Sequence, residues 1–294
     1  MDLTDLETFE AVARTGGITR AARELHTVQS NVTARVLQLE RELGVPLFRR
    51  HSRGVTPTAA GRELLPYAVK IRALLDEARR AVAGNAEPNG TLRVGSIETT
   101  AALRLPPILA AFAAECPRVD VVLQTGTTGG LVADVLEHRL EGALVAGPVG
   151  HVDLVEEEVV VEELVLVTPP ACRSLSEPVS RTGGVKVLVF RAGCTYRQRL
   201  ERILAERGIA AVRRLEFGTL EGIIGCVGAG LGVTLLPRAV VEPARRDGRV
   251  AVHRLPAEQA RAGTVFVRRR DAFMTGALAR FLGCCRLAER RRVQ

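Results

Sequence analysis

No tryptophan occurs in the sequence, and only two of its basic residues are lysines, Lys70 and Lys186. With 47% apolar residues it reads as a soluble globular chain, and the scarcity of lysine reads as codon bias in a G+C-rich genome. No uncharged run reaches ~18 residues and no basic-then-apolar leader precedes Leu3, so no membrane span is expected and a cytoplasmic location is. Cys116, Cys172, Cys194, Cys226, Cys284 and Cys285 form no Cys-x-x-Cys pair. Zinc-type spacing is thus missing, and reduced, partly buried thiols are expected. The five histidines are scattered, and neither Gly-x-Ser-x-Gly nor Gly-x-x-x-x-Gly-Lys occurs. No catalytic constellation, metal or cofactor is therefore expected.

What is present allows two or three domains in 294 residues. The net charge of +8 is unevenly spread: residues 1–90 hold 13 basic and 11 acidic side chains, 91–260 hold 19 and 20, and 261–294 hold 9 and 2. The excess lies at the C-terminal end, so a nucleic-acid reading has to rest on particular arginines, not on the isoelectric point.

Residues 18–61 organise the chain. A Ser/Thr-x-x-Glu box at Thr4–Glu7 predicts a first helix with Leu3, Leu6, Phe9, Val12 and Ala13 on its apolar face, ended by Gly16-Gly17. Thr19 is expected to cap a second helix carrying Ala22 and Leu25. After a break at His26-Thr27 comes a third, with Val32, Val36, Leu39 and Leu43 on one side and Gln29, Ser30 and Thr33 elsewhere. This is a helix-turn-helix pattern, whose last helix fits a major groove; an ordinary three-helix core piece is the plainer alternative. Val45–Phe48 and Val55-Thr56 predict a hairpin, with Arg49, Arg50 and Arg53 between them for phosphate or minor groove.

Ala21-Ala22-Arg23-Glu24-Leu25-His26, Gln29, Leu39 through Arg50, and Thr58-Ala59-Ala60-Gly61 resemble in order and spacing the N-terminal signature of LysR-type transcriptional regulators. The resemblance implies an N-terminal all-α winged helix-turn-helix and an α/β effector domain of two lobes, similar to a type 2 periplasmic solute-binding protein. It implies a double-stranded DNA operator, a small-molecule effector and a homo-oligomer as partners. Gln29, Ser30, Thr33, Arg35, Arg50 and Arg53 are the candidate DNA contacts. Two departures stand out: Val28-Gln29-Ser30 replaces the usual Ser-Gln-Pro, and Ala34 stands where an arginine is common, with Arg35 beside it.

The expected domains are 1–58 for DNA binding, a linker helix 59–83, a hinge 84–90 and an effector domain 91–294. Within the last, lobe I is expected at about 91–168 and 265–294, and lobe II at about 169–264. Leu64, Ala68, Ile71, Leu75, Ala78 and Val82 form a heptad seam, read as a dimer contact or, alternatively, as packing on the helix's own domain; Pro66 predicts a kink. Strands are expected at 92–96, 119–125, 143–146, 164–168, 185–190, 214–217, 232–236 and 265–267. Helices are expected at 101–115, 131–138, 197–207, 220–229 and 273–290. Leu92–Gly95, Leu105–Leu109 and Gly230–Pro237 look like the family's effector domain, but His138 stands where glycine is usual. Glu156–Glu158 and Glu162-Glu163 read as a solvated acidic edge.

Four strand-to-helix turns carry hydroxyls: Ser96–Thr100, Thr125–Thr128, Gly193–Tyr196 and Gly218–Glu221. Each by itself is usually only a helix cap. Together, at the carboxyl ends of parallel strands, they suggest a small-anion site. The effector candidates are Ser96, Thr99, Thr100, Thr128, Cys194, Thr195 and Thr219, with a carboxylate or amino acid as ligand. Glu98 and Glu221 keep a zwitterion open, and Cys194 and Cys226 raise a thiol-redox alternative. A transporter's solute-binding module, a molybdate-type winged-helix regulator and an enzyme on the same fold are the remaining rivals.

Overall fold

The computed structural model describes residues 1–52, 54–82, 88–172, 185–209 and 212–293. Two units emerge: Met1–Gly84 and, leaving aside the turn Glu137–Arg139, the chain from Asn85 onward.

In the first unit, α1 (Leu3–Thr15) has its cap two residues before the expected Thr4. Asp2 is the cap: its carboxylate accepts the Asp5 N–H at 2.7 Å, and Asp5 accepts the Asp2 N–H at 3.3 Å. A carboxylate near the free donors of a first turn satisfies them and complements the helix dipole. Leu3 is consequently exposed, whereas Leu6, Phe9 and Val12 are buried. Gly16 ends the helix. α2 (Ile18–Glu24) is capped at Gly17, so Thr19 lies inside it. α3 (Gln29–Leu43) buries Val32, Val36 and Leu39 and leaves Leu43 exposed.

The wing is β1 (Phe48–His51) paired antiparallel with β2 (Gly54–Pro57), starting later than the expected Val45. Arg49 and Arg50 are strand residues, opposite Thr56 and Val55. The Glu40 carboxylate accepts the N–H groups of Leu47 and Phe48 at 2.7 and 3.1 Å. Thr58 donates through its hydroxyl to the Pro46 carbonyl at 2.7 Å and accepts the Gly61 N–H at 3.1 Å, capping α4 (Ala59–Val82). A Cβ at Gly61 would stand 2.2 Å from the Leu47 carbonyl oxygen, so only glycine permits this approach.

α4 runs through Pro66 without a break. Ala68, with Leu64 and Ile71 beside it, packs into the core of its own unit. The first half of the expected dimer seam therefore serves the intrachain alternative. Val82 is 90% exposed, as are Tyr67 and Leu74 in good part.

The second unit has two sheets sharing one strand. β3 (Gly90–Ile97), β4 (Val119–Gly126), β5 (Gly142–Ala146), β6 (Leu154–Thr168) and β11 (Arg261–Arg269) make lobe I in the order β4-β3-β5-β11-β6. The carboxyl half of β6 pairs instead with β9 (Thr234–Pro237) and β10 (Ala251–Arg254). β7 (Val185–Phe190) and β8 (Val212–Phe217) join by a bridge from Val187 to Val233, completing lobe II. The expected 168/169 boundary meets this continuous strand, and the return begins at Arg261 rather than 265. Gly90, expected in the hinge, belongs to β3, while 84–87 lie outside the described residues.

Around the sheets lie α5 (Glu98–Leu103), α6 (Leu105–Glu115), α7 (Thr128–Leu136), α8 (Thr195–Glu206), α9 (Leu220–Gly228), α10 (Arg238–Arg246), α11 (Ala257–Ala260) and α12 (Gly276–Val293). One helix expected at 101–115 is two, because Pro106 and Pro107 lack N–H donors and start a new first turn. His138 takes φ +62, the left-handed conformation that suits glycine. Of the glutamates expected as a solvated edge, Glu158 and Glu163 are exposed, Glu156 and Glu157 are half-buried and Glu162 is buried. They lie on β6, where Glu162 is buried and pairs with Arg104 at 2.5 Å, and Glu157 pairs with Arg286. No helix among the described residues is long and apolar enough to cross a membrane.

Candidate functional site

Two surfaces carry the candidate residues, one in each unit. On α3, Gln29 and Ser30 are exposed in the first turn and Thr33 is half-buried one turn on. Gln29 Oε1 accepts the Thr19 hydroxyl at 3.2 Å, which ties the start of α3 to α2. Arg35 points elsewhere. At 100° per residue it lies 140° from Ser30 around the helix. Its guanidinium pairs with buried Asp5 at 3.1 Å, so it braces α3 on α1 instead of offering a free charge. Arg49 and Arg50 are exposed on β1, and Arg53 lies outside the described residues.

In the second unit, a cavity of about 460 Å³ opens between the lobes at the carboxyl ends of their strands. After β3, Ile97, Glu98 and Thr99 reach it. Ser96 does not: it is fully buried and donates to the Ile97 carbonyl at 3.1 Å. Thr100 lies beside a separate cavity of about 70 Å³. At the end of β4 and just beyond it, Thr125, Thr127 and Thr128 line the cleft. The Thr128 hydroxyl also accepts the Ala146 N–H at 3.4 Å.

Lobe II contributes Phe190, Arg191, Cys194, Thr195 and Tyr196 from the end of β7 onward, and Phe217 and Gly218 from the end of β8. Thr219 is used as a helix cap, accepting the Gly222 N–H at 3.3 Å, and does not line the cavity. The lobes meet beside the cleft: the Gly129 N–H donates to the Gly193 carbonyl at 3.2 Å. A Cβ on Gly193, whose φ is +91, would come within 2.8 Å of the Thr127 hydroxyl.

Of the seven expected effector residues, Thr99, Thr128, Cys194 and Thr195 come together, and Ser96, Thr100 and Thr219 do not. Phe190, Phe217, Arg191 and Tyr196 were not among them. The phenylalanines read as ordinary last residues of core strands, and only their place before a turn marks them. Glu98 and Arg191 are the charged residues of the lining, whereas Glu221 stands outside it. Burial pushes the Tyr196 phenol up to about 12, against a lowering influence of the neighbouring Thr99 hydroxyl; the buried oxygen makes no hydrogen bond of good geometry among the described residues.

Burial likewise pushes the Cys194 thiol up, with the Arg197 and Tyr196 N–H groups opposing it. A raised pKa leaves little thiolate, and Cys226 lies outside the cleft, so the redox alternative is not favoured. Among the described residues no group of three histidine, cysteine or acidic side chains assembles a metal site.

Residues 3–62 match the family model described as a bacterial regulatory helix-turn-helix protein of the lysR family, and residues 85–289 match the LysR substrate binding domain. The HTH-type transcriptional regulator GltR of Bacillus subtilis is 44% identical over 285 residues, covering 96% of this chain and 95% of its own. The HTH-type transcriptional regulator CzcR of Bacillus cereus is 42% identical over 282 residues, covering 96% of each. Among solved structures, full-length CbnR complexed with its target DNA superposes with a TM-score of 0.67 at 24% identity, over 98% of this chain and 100% of that one. A full-length OxyR variant from Pseudomonas aeruginosa gives 0.72 at 22%, over 98% of each.

Proposed function

The chain belongs to the LysR family of bacterial transcriptional regulators, and on that premise we propose which residues meet DNA and what the cleft takes. It is a DNA-binding regulator with an effector-binding domain. The exposed start of α3, Gln29 and Ser30 with Thr33, meets base edges, and Arg50 with Arg53 meets backbone phosphate. A two-fold operator requires two such helices, supplied by a dimer through the outer half of α4 and a further pairing of effector domains into a tetramer. Leu75→Glu on that outer half lowers operator affinity without altering the recognition helix.

The effector is a small carboxylate or amino acid held between the lobes. One observation carries this reading: threonines of lobe I line one side of a cavity of ligand size, and Thr195 with apolar and aromatic side chains of lobe II lines the other. A ligand touching both lobes binds one lobe arrangement better, and only that difference can change how DNA is held. A thermal-shift screen of carboxylates and amino acids on the full chain tests it, because a specific ligand raises the melting temperature by mass action. The rise should vanish in Thr99→Val/Thr128→Val. A hit whose rise survives there removes the cleft assignment. Gln29→Ala tests the other surface: loss of one base contact costs about 1–3 kcal/mol and relaxes sequence preference.

A further inference from the structure

α8 walls two cavities. On its other flank a second, more open cavity of about 330 Å³ is lined by Gly147, Pro148, Thr195, Gln198, Arg199 and Arg202. Thr195 borders both. Positions 195, 198, 199 and 202 form one stripe, because residues three and four apart share a helix face. Each of those four side chains carries a hydrogen-bond donor, and no carboxylate lines the space.

Two like charges at i and i+3 on one face repel. Other arginines of this unit are offset: Arg197 by Glu201 and Glu216, Arg245 and Arg246 by Glu242. Among the described residues no carboxylate lies within ion-pair distance of Arg199 or Arg202. Arg199 Nη1 donates to the Arg261 carbonyl at 2.5 Å. That bond orients the guanidinium and leaves its Nε and Nη2 donors for another partner.

We propose that this cavity binds a small oxyanion, inorganic phosphate or the phosphate of a monoester, between Arg199 and Arg202, separately from the cleft ligand. Guanidinium forks suit an acceptor with several oxygens and more than one negative charge. Gly147 and Pro148 follow β5 of lobe I, whereas the arginines belong to lobe II. The anion therefore touches both lobes, stabilises the arrangement that brings them together, and is thermodynamically coupled to whatever binds in the cleft.

The test is calorimetric titration of the full chain with inorganic phosphate and with glucose 6-phosphate, ionic strength being held constant with chloride. Saturable binding of one anion per chain is expected, weakened at least tenfold in Arg199→Gln/Arg202→Gln. The melting temperature of that variant in phosphate-free buffer should match wild type, and Arg202→Gln alone replaces it if the double variant is unstable. Equal binding of the ester assigns the site to phosphorylated metabolites, and rejection of the ester assigns it to the free ion. Full-strength phosphate binding by the variant, or no saturable binding by wild type, overturns the proposal.

Discussion

The two lobes present unlike faces to the same cleft. Lobe I offers Thr99, Thr125, Thr127 and Thr128 with the Glu98 carboxylate, nearly all hydrogen-bonding chemistry. Lobe II offers Phe190, Phe217, Cys194 and Tyr196, with the Thr195 hydroxyl and Arg191 as its polar and charged groups. Similar strand-to-helix turns built both, so the difference lies in side chains and not in backbone. A ligand must satisfy a polar half and cover an apolar half at once. One that meets a single lobe has no reason to favour closure, since only differential affinity shifts an equilibrium. The lobes also differ in how they are braced. Lobe I buries the Arg104–Glu162 pair against β6, whereas the lobe II pairs of Arg197 and Arg214 with Glu201 are more open.

The largest effect expected from this contrast is on stability. Arg104→Ala removes the guanidinium paired with buried Glu162 and should cost about 3–5 kcal/mol, read by denaturant unfolding. Arg214→Ala in lobe II should change stability far less, since its pair is exposed to solvent. Equal losses would dissolve the distinction. Next comes the ligand. Once an effector is in hand, Thr99→Val should cost about 1.5–3 kcal/mol of affinity by calorimetry, roughly tenfold or more. Phe217→Ala should weaken binding through lost apolar cover, with a less negative binding heat capacity as its mark. Were the heat capacity to change in Thr99→Val and stay constant in Phe217→Ala, the polar and apolar assignments would be reversed.

A smaller change follows at the meeting point of the lobes. Gly193→Ala puts a methyl against Thr127 in a backbone conformation that alanine resists, so the lobes should sit further apart and effector affinity should fall severalfold. Operator binding without effector should remain as in wild type in gel-shift titrations; a loss there would mean that the substitution damages more than the cleft. The smallest effect is pH-dependent. Arg286 hydrogen-bonds Glu157 and holds its carboxyl below the usual value. A depressed folded-state pKa adds stability above the unfolded pKa, lost as pH falls through the folded one. Arg286→Ala should therefore flatten the decline of stability on acidification below about pH 4.5, the ordinary carboxylate value, with little change at neutral pH beyond a few tenths of a kcal/mol.

The parts of this molecule legible in its sequence are those whose cause is local. Val32, Val36 and Leu39 announce α3 by their spacing, and Thr58 announces the start of α4, because caps and helical stripes are short-range effects. The start of α1 differs from expectation for a local reason too: Asp2, Thr4 and Asp5 all offer cap oxygens, and the structure uses Asp2. Thr99 and Thr128 could be placed in the cleft because they follow strands, yet Ser96 and Thr100 lie on nearly the same turn and face away. Pattern gives the turn; a rotation of one residue decides which side chain enters the cavity. Arg35 and Glu162 were unreadable as partners because Asp5 and Arg104 are 30 and 58 residues distant. α10 is hidden in the sequence because Pro243 reads as a breaker, although Val241 and Ala244 bury its inner face.

β6 belongs to both sheets over its fifteen residues, paired with β11 up to Glu163 and with β9 from Leu164. On this strand the joint between the lobes contains no loop to swing. Relative motion has to be taken up as torsion along a hydrogen-bonded ribbon, for which twist is the soft coordinate and stretching is not. Such a joint works as a torsion spring. The cleft ligand would deliver torque and not displacement, and the returning strand β11 would resist it in parallel. A domain built this way would move through small rotations set by side-chain packing on two faces of one strand, so residues such as Leu164 on one face and Val165 on the other would set the stiffness against which binding energy is spent.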